Sequence, residues 1–146
     1  MIRTLVIPGR PQPFVRGARG AIRENTERKR SIRAAWLLAY GRARPSTEPC
    51  LVVVEFVFRA QRAADRGRIK STRPDADNLF KLPPDALRGL AWIDDSQVHP
   101  GPIIRRWTRN GEGPHTRVRI ATGKADVSAL LLEAEADVLA AWPEDP

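Results

Sequence analysis

Along this 146-residue chain the spacing of apolar positions changes several times, and each spacing predicts a different element. Residues 2–7 alternate weakly and read as a first strand, ended by Pro8 and Gly9. The proline-rich turn that follows leads into residues 14–22, rich in glycine and arginine, which read as a hairpin or a basic loop. Thr26 then predicts the cap of a helix over 27–40, with Ile32, Ala35, Trp36 and Ala39 on one face and Arg28, Lys29, Arg30 and Arg33 on solvent-facing turns. Residues 42–49 form a linker. Residues 50–58, CLVVVEFVF, are apolar almost without interruption and predict a strand at the centre of a sheet. Glu55 breaks that run, either as a paired or edge charge or as a neighbour of the aspartates downstream.

Residues 61–73 are polar and basic and read as a loop. Leu79, Phe80, Leu82, Ala86, Leu87 and Leu90 then follow helical spacing, with Asp77 as the expected N-cap. Pro83 and Pro84 fall inside that pattern, and a proline in a helix interior costs about 3 kcal/mol. The expectation is therefore a short turn over 77–81 and a second helix with Pro84 at its first position. A strand over 103–108, a hairpin at Asn110-Gly111-Glu112-Gly113 and a return strand over 116–121 come next. A last helix over 126–142 carries an apolar stripe of Val127, Leu130, Leu131, Ala134, Val138 and Ala141, with its acids expected outward. Together these elements predict a single α/β (α+β) domain with a mixed sheet flanked by helices. Residues 1–121 form the domain proper and 122–146 a helical extension packed on it.

The single Cys50 excludes an internal disulfide and the cysteine clusters of zinc ribbons. It reads as a small buried residue at a strand start. His99 and His115 are isolated and lack the spacing of metal ligands. No apolar run approaches the ~18 residues of a membrane span, and no signal-peptide pattern opens the chain, so a soluble cytoplasmic protein is expected.

Charge changes the picture more. The net charge is +8, yet residues 1–44 hold ten arginines and one lysine against two glutamates, while 122–146 hold one lysine against six acids. The basic first third suits a polyanion, and nucleic acid is the obvious one. Against that background, residues 73–98 gather five aspartates, Asp75, Asp77, Asp85, Asp94 and Asp95. Crowded carboxylates raise each other's pKa unless a cation or hydrogen bonds compensate them, and a hard divalent metal is the most economical compensator. Asp75 and Asp77 would share one side of an extended segment; Lys81 lies one helical turn past Asp77; of Asp94 and Asp95, only one can face the same place. The competing reading, aspartates that serve only caps and turns, explains Asp77 but not the D-x-D followed by D-D.

At these residues the stretch resembles the signature of the RusA family of Holliday-junction resolvases: D-x-D-N-x-x-K, then D-A-L, then D-D-x-Q-V. The opening Pro8-Gly9-Arg10-Pro11-Gln12-Pro13 is also similar to the family's P-G-x-P-x-P. The resemblance implies catalytic magnesium, with manganese as a substitute, bound by Asp75, Asp77 and Asp95, and Lys81 assisting at the scissile phosphate. It implies a homodimer of bacterial or prophage origin that cuts a four-way DNA junction in two symmetric nicks, leaving 5′-phosphate ends, in recombination and repair. Arg10, Arg16, Arg19, Arg23 and Arg73 are the expected DNA contacts. The sequence departs from the pattern at Pro83-Pro84 and at Phe14-Val15-Arg16. Two other functions stay open: a branched-DNA-binding protein without catalysis, and a metal nuclease acting on flaps or forks.

Overall fold

The computed structural model describes residues 2–17 and 19–145; Met1, Ala18 and Pro146 lie outside the described residues. Four strands, β1 (Arg3–Pro8), β2 (Cys50–Phe58), β3 (Val98–Trp107) and β4 (His115–Ala121), form one sheet in the order β1-β4-β2-β3. β2 runs parallel to β3 and antiparallel to β4, which is antiparallel to β1, so the sheet is mixed as expected. Every residue of β2 is buried, the outcome its unbroken apolar run predicts for a strand covered on both faces. Cys50 opens it, buried.

The expected hairpin is not there. β3 and β4 lie on opposite sides of β2, and residues 108–114 carry the chain across its end. The Asn-Gly turn does form, but Glu112 within it accepts from the Arg109 backbone N–H and from both terminal nitrogens of Arg106, so the turn is anchored to β3 instead of zipping two strands together. β3 also starts five residues earlier than the sequence suggested. It runs through Pro100 and Pro102 because it is an edge strand, where a missing donor is tolerated. Gly101 is required there, since a Cβ would meet Val53 Cγ2 at 2.7 Å.

Helices α1 (Ala21–Tyr40), α2 (Ala76–Phe80) and α3 (Leu82–Leu87) cover one face of the sheet. Trp36, Leu79, Leu82, Leu87 and Trp92 pack there against Val52, Val54, Phe56 and Val118. α1 begins at Ala21, after Gly20 at φ 87°, earlier than the sequence suggested, and no strand forms among the described residues of 14–20. Thr26 is not its cap; the hydroxyl donates to the Ile22 carbonyl within the helix at 2.7 Å. At the other end, the Tyr40 hydroxyl accepts from Thr4 N–H and donates to Thr4 C=O, which closes part of the exposed edge of β1.

The double proline interrupts the motif helix at Lys81, and α3 starts at Leu82, so Pro83 and Pro84 occupy its first turn, where their missing N–H groups cost little.

The long helix α4 (Lys124–Ala141) covers the opposite face, with Leu130 and Ala134 over Leu51, Val53 and Ala121. Its acids do not all face outward. Asp137 pairs with Arg117 at 3.1 Å and Arg119 at 2.8 Å, and Glu133 with Arg119 at 3.5 Å. Glu55 points to this same face and pairs with Arg106 and Arg117, away from the aspartate stretch. Among the described residues, no helix is long and apolar enough to cross a membrane.

Candidate active site

Asp75 reaches the surface at the N-cap of α2, and Asp77 follows in its first turn. The capping role expected of Asp77 falls to Asp75, whose backbone is extended and whose carbonyl accepts from Leu79 N–H at 3.1 Å. Its side chain makes no capping bond and, among the described residues, no ion pair, so this carboxylate faces solvent uncommitted. Because Asp77 is already helical, the two aspartates lie across a loop-to-helix corner and not along one extended segment.

The loop before α1 is fastened onto this corner by paired amides. Asn78 donates to Phe14 C=O at 3.0 Å, and the Asn78 carbonyl accepts from Phe14 N–H at 3.0 Å. Asn25, buried in α1, exchanges bonds of 2.8 and 2.9 Å with the Val15 backbone. Arg28 adds a donor to Pro13 C=O. Fixed in this way, the loop places Arg16 over the corner, with Nε 3.1 Å from Asn78 Oδ1 and a terminal nitrogen 3.5 Å from Asp77. Arg10 and Arg73 line one cleft with Asp75 and Asn78, and a second cleft, shared by the same two arginines, runs on past Arg59, Gln61 and Trp107. Arg19 and Arg23 line neither; Arg23 lies in the first turn of α1, 3.4 Å from Glu27. Lys81 sits at the break between α2 and α3, exposed, with its ammonium 5.5 Å from the centre of the Phe14 ring.

The other three aspartates divide by role. Asp85 clasps α3 to α1 through Lys29 at 2.8 Å. Asp94 caps a 3-10 turn, Asp95–Gln97, in a capping box with Gln97, and the Ser96 backbone N–H holds its carboxyl below the usual carboxylate range. Asp95 takes no part as the cap of that turn. It rests 3.4 Å from Trp92 Nε1 and 3.4 Å from Arg88, and among the described residues no three histidine, cysteine or acidic side chains are grouped to hold a metal ion. Asp75, Asp77 and Asp95 are thus not gathered into one three-carboxylate group.

The Asp75–Asp77 corner fits a hard cation all the same. It offers two exposed carboxylates, one uncommitted and one with a single long arginine contact, and magnesium commonly takes one or two carboxylates and completes its shell with water and substrate phosphate.

Several residues that build the corner carry no obvious sequence signal. Lys70 lies in a run of exposed basic residues, yet is itself buried under the loop before Asp75. Arg105 donates to the Thr72 and Pro74 carbonyls, and Arg117 and Arg119 are sequestered by α4. Asn78 could have been found as the fourth residue of D-x-D-N.

No curated protein matches the chain in sequence. The family model described as endodeoxyribonuclease RusA matches residues 7–121, which run from the end of β1 through the Asp75–Asp95 stretch to the end of β4. Spanning most of the chain and both halves of the aspartate motif, that match shows that the protein belongs to the RusA family of endodeoxyribonucleases.

Proposed function

We propose that the protein is a magnesium-dependent endonuclease that resolves four-way DNA junctions by paired symmetric nicks. The observation that carries this reading is the uncommitted Asp75 carboxylate beside Asp77, in a cleft rimmed by Arg10 and Arg73. Asp75 and Asp77 would hold the cation. Asp95 is the proposed third ligand; its two contacts of 3.4 Å are long ones, so little opposes its release. The chemistry supplied by bound magnesium, or by manganese in its place, is charge stabilisation on the phosphate and a lowered pKa for the attacking water.

The chain's own residues do the rest. Arg10 and Arg73 hold the phosphate backbone against the cleft, Arg16 sits ready to leave Asp77 for a phosphate, and Arg19 and Arg23 extend the basic track toward α1. Lys81 stands one turn past Asp77 and neutralises charge that develops on the phosphoryl oxygens. Two nicks in opposed strands need two such sites, and a symmetric homodimer supplies them from one sequence. Sedimentation of the free protein should therefore show a dimer, and a strictly monomeric protein that makes both cuts in one binding event would remove this part.

The deciding experiment incubates a synthetic four-way junction with the protein, with and without magnesium, beside Asp75→Asn, Asp77→Asn and Asp95→Asn. Cleavage that needs magnesium and is lost in each variant, while junction binding persists, supports the reading. One observation favours a rival, a protein that binds branched DNA without cutting it: among the described residues Asp75, Asp77 and Asp95 are not grouped as a three-carboxylate metal site. Binding without cleavage at any magnesium concentration would establish that rival. Flap and fork substrates in the same assay decide whether the nuclease is aimed elsewhere.

A further inference from the structure

The loop that delivers Asp75 is held from beneath by two cations. Lys70 is 4% exposed, an unusual depth for a lysine, and among the described residues it makes no ion pair with a carboxylate. Its ammonium donates to Thr72 C=O at 2.9 Å, to the Thr72 hydroxyl at 2.7 Å and to Arg73 C=O. That uses all three of its donors. The Phe58 and Trp107 rings flank it, each centre 4.9 Å from Nζ, and supply the negative faces a desolvated ammonium needs. Arg105 donates to the same Thr72 C=O at 2.9 Å and to Pro74 C=O at 3.0 Å. The next carbonyl, that of Asp75, opens the hydrogen bonding of α2. Four successive carbonyls therefore have partners, and Asp75, with no side-chain bond among the described residues, takes its direction from the backbone.

We propose that Lys70, with Arg105 beside it, is a positioning residue of this active site. By fixing the carbonyls of Thr72, Arg73 and Pro74, the buried ammonium sets the direction in which Asp75 meets its cation. A ligand carboxylate must be held within about 0.5 Å of its productive place, and groups that orient metal ligands commonly control 10- to 100-fold of affinity or activity. Lys70 borders the second cleft, but its three donors are spent on the loop, so its role here is to position and not to bind. The inference rests on the reading of Asp75 as a metal ligand.

The test compares Lys70→Met, Lys70→Arg and Arg105→Gln with wild type and with Asp75→Asn. Mn2+ is titrated into each free protein, with unbound Mn2+ counted by electron paramagnetic resonance. Junction cleavage is then followed against magnesium concentration, and junction affinity is measured in Ca2+. Lys70→Met should weaken Mn2+ binding and raise the magnesium midpoint by about 10- to 100-fold, with junction affinity within about twofold of wild type. Lys70→Arg, which keeps charge and donors, should recover part of the loss, and Arg105→Gln should move both curves the same way by less. A folded Lys70→Met with wild-type Mn2+ binding and magnesium midpoint overturns the proposal. If Lys70→Met does not fold, as its melting curve would show, wild-type curves for Arg105→Gln overturn it instead. Asp75→Asn separates the two levels: if it binds Mn2+ and cuts like wild type, the site reading itself falls and the proposal with it. If Asp75→Asn is inactive while Lys70→Met is normal, only the positioning role is lost.

Discussion

Arg106→Met should be among the most destabilising single changes outside the apolar core. The Arg106 side chain is 3% exposed; its Nε lies 3.1 Å from Glu55, itself 2% exposed, and its two terminal nitrogens grip Glu112 at 2.6 and 2.8 Å. Methionine keeps the apolar stem but removes the guanidinium. Glu55 is then left with Arg117 at 3.3 Å and Glu112 with the Arg109 backbone N–H. Removing one partner of a buried pair costs about 3–5 kcal/mol, a large share of the roughly 5–15 kcal/mol that holds a domain of this size. The assay is urea unfolding at neutral pH. Adding Glu55→Gln to Arg106→Met should restore at least about 1 kcal/mol, because it removes the charge left uncompensated. Acid unfolding gives a second reading. The hydrogen bonds from Arg106 pull the Glu112 carboxyl from 4.5 down to about 2. A folded-state pKa below the unfolded value stabilises fully above pH 4.5, and the gain fades as pH falls toward about 2. At ~1.4 kcal/mol per pKa unit the contribution is at most about 3 kcal/mol, and less in practice, because a quarter of the Glu112 side chain stays in solvent. Arg106→Met should flatten the stability profile in that window. A loss below about 1 kcal/mol, with the acid limb unchanged, would refute the reasoning.

Asp94→Asn should leave cleavage close to wild type and lower the melting temperature slightly, because its carboxylate caps the turn before β3; loss of cleavage in this variant would return Asp94 to the site. Lys81→Ala should retain Mn2+ binding and slow turnover by about 10²- to 10³-fold, the usual effect of losing one transition-state donor. A wild-type rate would mean that the break between α2 and α3 has carried Lys81 out of reach. Arg10→Ala and Arg73→Ala should each weaken junction binding and lower the slope of log affinity against log salt by about 1, as read by fluorescence anisotropy at several salt concentrations. An unchanged slope would remove that arginine from the DNA track.

What was legible in the sequence depended on whether a residue's partner lay nearby along the chain. β2 could be read because nine consecutive buried residues carry their own pattern, and the break at the double proline because proline's cost is local. The sheet order was not legible. Asn110-Gly111 forms a turn whichever strand β4 pairs with, and the choice was made by burial of β2 on both sides. Helix α1 was misplaced at its start because Gly20 ends the loop by its backbone, whereas Thr26 only imitates a cap. In the site, D-x-D-N marked the corner, but the residues that shape it are basic, and basic residues read alike. Arg16 over the corner, Arg105 beneath the loop and Arg119 under α4 differ only in contacts made across 14 to 62 positions of sequence.

The ion pairs themselves are sorted between the two faces of the sheet, and that sorting bears on what a net charge of +8 is for. On the α4 face the pairs are multiple and each centres on a buried or half-buried arginine: Arg106 holds two carboxylates and Asp137 two arginines. Such groups cannot leave one another for a passing ligand without several kcal/mol of penalty. On the motif face Lys29 and Asp85 make one short pair at 2.8 Å, but the pairs at Asp77 and Asp95 are long and wet. Arg16 and Asp77 meet at 3.5 Å with 62% and 71% of their side chains exposed, and Arg88 and Asp95 at 3.4 Å with 56% and 43%. Pairs of that kind are worth about 0–1 kcal/mol, so a cation can take the carboxylate, and a phosphate the arginine, at little cost. The two exchanges reinforce each other, since each frees the partner that the other ligand needs. Metal should therefore tighten DNA binding and DNA tighten metal binding, by the same factor in both directions. That reciprocity is measurable with Ca2+, which lets the junction be bound without being cut. Equal junction affinity with and without Ca2+ would show that Arg16 and Arg88 do not leave their aspartates for the DNA.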